Sequence, residues 1–214
     1  MHKNKQEDAR GFFLMLMEHF RLKLKALSDL FVGELRSTLT CRRCSHPSMK
    51  IDPYKILALS LPTDNNEHDS LNIPKRHDIY DLLDGFVRQE FITGYNCTHC
   101  DAQDVTGKKL DILSTPQILV LGLKRFYGLR KLNDFVEFPL ELSLKYVRAG
   151  NEQHQTYRIT GVVLHTGPSI AAGHYKSYVY CKGVWLETND SSVREVRWEM
   201  VKNLAVYLLF YLRI

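Results

Sequence analysis

Two sets of residues in this sequence have types and spacings that can do chemistry. The first is a pair of Cys-x-x-Cys motifs, Cys41-Arg42-Arg43-Cys44 and Cys97-Thr98-His99-Cys100, separated by 52 residues. A two-residue gap lets one tight turn aim both thiolates at a common point, and two such turns complete a tetrahedron around Zn²⁺. A site filled by four sulfurs has no open position, so its role is structural. Two pairs of unligated thiols, or a redox pair, are the competing readings. His46 and His99 lie beside the motifs, either as groups around the metal or as exposed bystanders. Arg42 and Arg43 either offset the charge of four thiolates or are solvated loop residues. The fifth cysteine, Cys181, reads as a buried strand thiol.

The second set is Gly173-His174-Tyr175, followed fifteen residues after His174 by Asn189-Asp190. If 175–181 and 184–188 are strands joined through Lys182-Gly183, counting down one and up the other brings Asn189 or Asp190 to the imidazole. An amide or carboxylate oxygen accepting from one ring nitrogen frees the other nitrogen to take a proton, the arrangement a general base needs. Gly173 would let a substrate backbone pass close to the histidine. A histidine and an asparagine on neighbouring strands can equally be structural.

The elements that must position these residues show in the hydrophobic pattern. Residues 6–27 read as a helix, with Phe12, Phe13, Leu16, Met17, Phe20 and Leu24 at helical spacing. Gly11 weakens that helix by roughly 1 kcal/mol relative to Ala. Strands are expected at 31–41 and 51–61, a polar surface loop at 63–70 and a short helix at 78–90. From there the pattern is of strands, at 108–113, 117–126, 157–165, 175–181, 184–188 and 205–212. Helix ahead of a run of strands predicts an α+β fold with a mostly antiparallel sheet.

Composition bounds the rest. The 214 residues are 44% hydrophobic and 25% charged, which fits a globular domain and excludes collagen, coiled coil and bulk disorder. The longest apolar run, at 204–212, is too short for a bilayer, which needs about 20 residues. Residues 1–10 are polar and show no secretory signal. A net charge of +5, scattered along the chain, gives little reason to expect nucleic-acid binding. Five cysteines, four of them in tight pairs, point to a reducing compartment, cytoplasmic or nuclear. A zinc-ribbon module binding protein or RNA is the alternative function.

Taken together, the motifs resemble those of the ubiquitin-specific proteases, a family of thiol deubiquitinases. Gly173-His174-Tyr175-Lys176-Ser177-Tyr178-Val179 is similar to the family's histidine box, and the segment from Trp185 to Val193 resembles the one carrying its third triad residue. Asn189 aligns with that role and Asp190 with its neighbour. Pro116 to Phe126, Val136-Glu137-Phe138-Pro139, Phe31-Val32-Gly33-Glu34-Leu35 ahead of the first cysteine pair, Gln6-Glu7-Asp8-Ala9 and Ala205 to Tyr211 resemble further family segments in the same order. Gly11 and Gly122 depart from the family, which usually has Glu and often His there.

The resemblance implies a papain-like hand with a partial thumb at 6–30, zinc-bearing fingers at 31–115 and a palm at 116–214, all one domain. It implies ubiquitin as partner and thiol-dependent hydrolysis of the bond after ubiquitin's last glycine. The family's nucleophile lies in a Cys box well before the Gln-Asp-Ala helix, and no segment here resembles it. Cys181, seven residues after His174, would lie about 20 Å from the imidazole along an extended strand. The resemblance therefore predicts a base and orienter without an attacking thiol, and an exposed apolar patch along Phe12 to Leu24.

Overall fold

The structure, a computed structural model, describes residues 8–62, 74–127, 130–169 and 172–214. Helix α1 (Ala9–Lys23) comes first, then α2 (Lys25–Asp29). Strands β1 (Gly33–Cys41), β2 (Pro47–Tyr54), β3 (Leu57–Ser60) and β4 (Arg76–Asp78) lead to α3 (Ile79–Val87). Strands β5 (Glu90–Asn96), β6 (Gln103–Ser114), β7 (Ile118–Lys124), β8 (Phe126–Tyr127), β9 (Arg130–Lys131), β10 (Phe135–Glu137) and β11 (Glu141–Arg148) follow. The chain ends with β12 (Asn151–Ser169), β13 (Ala172–Cys181), β14 (Val184–Asn189), β15 (Ser192–Val196), α4 (Trp198–Val201) and β16 (Val206–Arg213).

Two sheets dominate. A four-stranded sheet runs β2-β1-β6-β5, and an eight-stranded sheet runs β15-β14-β13-β12-β16-β7-β3 with β11 paired to β12. Every pairing is antiparallel except β3 with β7 and β10 with β4. The expected antiparallel α+β fold is therefore what forms. Strand β3, within the stretch expected to build the fingers, instead joins the larger sheet through β7.

The backbone explains the hairpins. Ala149-Gly150 and Lys182-Gly183 all have positive φ, the requirement of a two-residue turn whose twist matches its flanking strands. They join β11 to β12 and β13 to β14, so the turn expected at Lys182-Gly183 is present.

The larger sheet is covered on both faces. In β7, Leu119, Leu121 and Leu123 enter the main core with Leu57, Leu59, Ile79, Leu82 and Tyr211. Val120 points the other way, against Phe13, Met17 and Phe31. Phe13 meets Phe31 and Phe210 edge-on, with ring centroids 5.4 and 5.8 Å away. Burying Phe13 and Met17 supplies about 1.5–3 kcal/mol each. Only part of the expected apolar stripe is used, since Phe12 and Leu24 are exposed. The single helix expected over 6–27 is broken at Leu24, whose φ of −138° and ψ of 64° are not helical. The expected exposed patch is present in Phe12, Leu14, Met15, Leu22 and Leu24. Asp78 caps α3 by accepting from the Tyr80 N–H at 2.7 Å, and the helix buries Ile79, Leu82 and Leu83.

One buried cation ties the larger sheet to its loops. Arg125, 1% exposed, donates from Nε to the Val206 carbonyl at 2.5 Å and from Nη1 to the carbonyls of Leu132 and Asp134 at 3.1 and 2.7 Å. Burial pulls its pKa down to about 10, which leaves it charged at neutral pH. The expected loop at 63–70, and Gln6 and Glu7, lie outside the described residues. Among the described residues no helix is long and apolar enough to cross a membrane.

Candidate functional site

The β13–β14 hairpin brings His174 to Asn189. Cys181 faces Val184 beside the turn and Ser177 faces Thr188 further along, so the open end of the hairpin carries both residues. Side chains alternate between faces, which puts His174 and Asn189 diagonally on one face. His174 Nε2 lies 2.5 Å from Asn189 Oδ1. An amide oxygen can only accept, so Nε2 carries the hydrogen and Nδ1 keeps its lone pair. The imidazole is 43% exposed. Asp190 stands apart: its Oδ2 is 3.9 Å from Nε2, its side chain is 82% exposed, and it sits in the β14–β15 turn with a φ of 51°. Of the two expected partners, Asn189 makes the hydrogen bond.

The backbone leading to His174 is clamped. His165 is buried and faces Tyr175 across the β12–β13 ladder, with ring centroids 4.8 Å apart. A Cβ on Gly173 would lie 2.4 Å from His165 Nε2 and 2.4 Å from the Thr166 carbonyl oxygen. Gly173 is therefore required by packing within the protein, against His165 and the Thr166 carbonyl. Lys131 Nζ donates to the carbonyls of His165 and Gly167 at 2.7 and 3.1 Å and so pins the strand end before His174. Asp8 Oδ1 caps α1 through the Arg10 N–H and accepts from Tyr207 Oη at 2.5 Å, fastening the helix to β16. Burial, reinforced by the Lys131 charge, lowers the pKa of His165, which is held neutral. His165 and Lys131 were missed from sequence. The signal for His165 is its place in a His-x-Gly just ahead of the histidine motif; Lys131 offers none.

The four paired cysteines converge at the far end of the smaller sheet. Each pair sits in the same local turn. Ser45 and Asp101, the residues after the second cysteines, are left-handed, with φ of 58° and 53°. Each donates its N–H to the carbonyl of the first cysteine, at 2.9 and 2.8 Å. The four sulfurs lie within 4.8 Å of one another, with Cys41 to Cys100 at 3.8 Å and Cys44 to Cys97 at 3.7 Å. A tetrahedral site with Zn–S near ~2.3 Å has sulfur-to-sulfur edges of about 3.8 Å, so the donor set fits such a metal. Backbone N–H groups of His99 and Cys100 lower the Cys97 thiol to about 7. For Cys44 the His46 N–H also favours the thiolate, but burial and the neighbouring thiols outweigh it and push the group up to about 12. His46 and His99 are exposed and stack on each other, centroids 4.5 Å apart. Arg42 lies over the Phe91 ring at 5.6 Å. Cys181 is exposed, not buried as expected, and sits at the turn end of β13, away from His174.

Two measurements probe this geometry. In a histidine ¹⁵N spectrum, wild-type His174 shows one fixed tautomer with hydrogen on Nε2, and Asn189→Ala shows exchange between both; an unchanged signal contradicts the contact. His165 has a lowered folded-state pKa, so the unfolded chain binds its proton more tightly. That stabilisation is complete above the ordinary histidine value of about 6.5 and is lost as pH falls below it. The urea midpoint should fall on acidification through that range, and fall less in His165→Phe.

The family model described as "Ubiquitin carboxyl-terminal hydrolase" matches residues 1–211. Ubiquitin carboxyl-terminal hydrolase 2 of Gallus gallus is 36% identical over 197 residues, covering 86% of this chain and 52% of that protein. Ubiquitin carboxyl-terminal hydrolase 8 of Saccharomyces cerevisiae is 34% identical over 203 residues, 85% of this chain and 40% of that protein. Among solved structures, the SAGA Ubp8/Sgf11/Sus1/Sgf73 DUB module bound to ubiquitin aldehyde contains a chain similar at 28% identity and a TM-score of 0.80, covering 98% of this chain and 50% of that one. The chain thus spans about half the length, or less, of the curated relatives it matches. The shared fold is the papain-like hand, and the chain belongs to the ubiquitin carboxyl-terminal hydrolase family, within its ubiquitin-specific proteases.

Proposed function

We propose that these residues form the ubiquitin-gripping and proton-handling part of a deubiquitinase domain, with a partial thumb at 6–30, fingers at 31–115 that lend β3 to the palm, and a palm at 116–214. The 2.5 Å contact between His174 Nε2 and Asn189 Oδ1 carries this reading. Asn189 holds the imidazole so that Nδ1 takes the proton of a thiol, and its amide oxygen supports the imidazolium that results. The thiolate attacks the carbonyl after ubiquitin's last glycine, and His174 returns the proton to the leaving amine. Asp190, next to the pair, contributes negative potential at the rim.

None of these 214 residues places a thiol at His174. Cys41, Cys44, Cys97 and Cys100 are drawn together, and Cys181 lies seven residues along β13 from the histidine. Removing the nucleophile of a comparable triad costs on the order of a million-fold in kcat. The chain by itself therefore binds ubiquitin or a ubiquitinated protein without cleaving it. The four cysteines hold Zn²⁺ as a structural metal, and residence is cytoplasmic or nuclear. Ubp8 structures with ubiquitin aldehyde and with monoubiquitin support ubiquitin as the partner.

Titration of ¹⁵N-ubiquitin with this chain should perturb a contiguous set of ubiquitin signals, including its C-terminal tail; no perturbation rejects the partner. A fluorogenic ubiquitin-amide should show no turnover, and turnover abolished by a thiol alkylator would overturn the inactive reading. The same sample should contain one zinc per chain. A strong chelator, or Cys97→Ala, should loosen the finger strands while leaving the larger sheet folded. Failure to find zinc, or chelation without structural effect, rejects the metal assignment.

A further inference from the structure

The turn end of the β13–β14 hairpin borders a groove that the reading above does not use. It has a volume of about 640 Å³ and lies between that hairpin, β15, α4 and the start of β11. Tyr180 and Trp185 face each other across the hairpin, with ring centroids 5.6 Å apart, and Trp198 continues the row 5.4 Å from Trp185. Phe138 braces Trp198 edge-on at 5.9 Å. Trp185 forms the buried floor, while Tyr180 and Leu140 at the sides are 42% and 46% exposed. His174 lies six residues along β13 from Tyr180, about 20 Å away.

We propose that this groove binds an extended, proline-containing basic peptide. Rings 5.4 to 5.6 Å apart and tilted by 32° to 50° form a continuous, stepped apolar surface and not a cage around a cation. Such surfaces suit proline rings, and a polyproline stretch is already extended and loses little entropy on docking. The charges select a basic ligand. Glu141 is closed off by Arg158 at 2.6 Å, but the exposed Glu195 and Glu199 have no ion pair through their carboxylates among the described residues. With Arg197 the only other cation on the lining, three carboxylates face two guanidinium groups. That is a local acidic excess on a chain whose net charge is +5. Basic side chains flanking the prolines would pair with Glu195 and Glu199.

The chain contains only two tryptophans, and both line the groove. Intrinsic tryptophan fluorescence of the whole chain therefore reads its occupancy directly. The probe is a short synthetic peptide carrying prolines, a leucine and two arginines. Its controls have the arginines replaced by glutamates or the prolines by glycines. The first peptide should give a saturable change, with each control weaker by about tenfold or more. A Glu195→Lys, Glu199→Lys double variant should weaken the first peptide similarly and improve binding of the glutamate control. Tyr180→Ala should weaken all peptides without altering the His174 ¹⁵N signals. No fluorescence change at millimolar peptide, or equal responses to the arginine and glutamate peptides, overturns the proposal. Displacement of the peptide by ubiquitin overturns it as well, by making the groove part of the ubiquitin surface. The peptide and variant arms of the test do not depend on whether the chain binds ubiquitin.

Discussion

Backbone register in the β13–β14 hairpin is the constraint on which the rest depends. Two left-handed residues, Lys182 and Gly183, permit only a two-residue turn, and the ladder then follows in steps of one. A slip of a single residue would turn Asn189 to the opposite face and leave His174 without its acceptor. The same register places Tyr180 against Trp185 and Tyr178 against the buried Glu187. One turn thus fixes a polar pair at one end of the hairpin and an aromatic row at the other. It also fixes between them a carboxylate that Arg194 and Lys176 hold ionised against the effect of burial.

The eight-stranded sheet holds this hairpin stiffly. Strand β12 pairs with β11 along its first half, β13 along its second and β16 along the other edge. Arg125 fastens β16 to the loops around β9 and β10, and Lys131 reaches from β9 to the end of β12. The cysteine turns are organised differently. Their sheet is thin and its outer strands are exposed, so the four clustered thiols stand where a hydrophobic core is missing.

Much of this was legible in the sequence because the signals were local. Cys-x-x-Cys implies a knuckle, Lys-Gly between two apolar runs implies a tight hairpin, and a count along that hairpin pairs His174 with Asn189. What escaped was set by tertiary contact. Strands β5 and β15 are exposed on both faces and so lack an apolar rhythm. Strand β11 does alternate, with Leu142 and Leu144 buried, so its rhythm is present in the sequence. Nothing at Leu24 resembles a helix terminator, yet the helix stops there and the chain turns back to pack Phe31 against Phe13 and Met17. The His46–His99 stack and the confinement of Gly173 both arise between segments far apart or on different strands, beyond any local pattern.

Helix α1 rests on the sheet through Phe13, Met17 and the contact between Asp8 and Tyr207, while much of its apolar surface faces water. Few buried groups are lost when it lifts away, so its opening free energy lies well below that of the sheet. Amide protons there exchange through local fraying, and a protease gains purchase on this helix before the strands yield. The exposed Leu14, Met15 and Leu22 also favour contact between copies as concentration rises, on a helix that carries none of the paired cysteines.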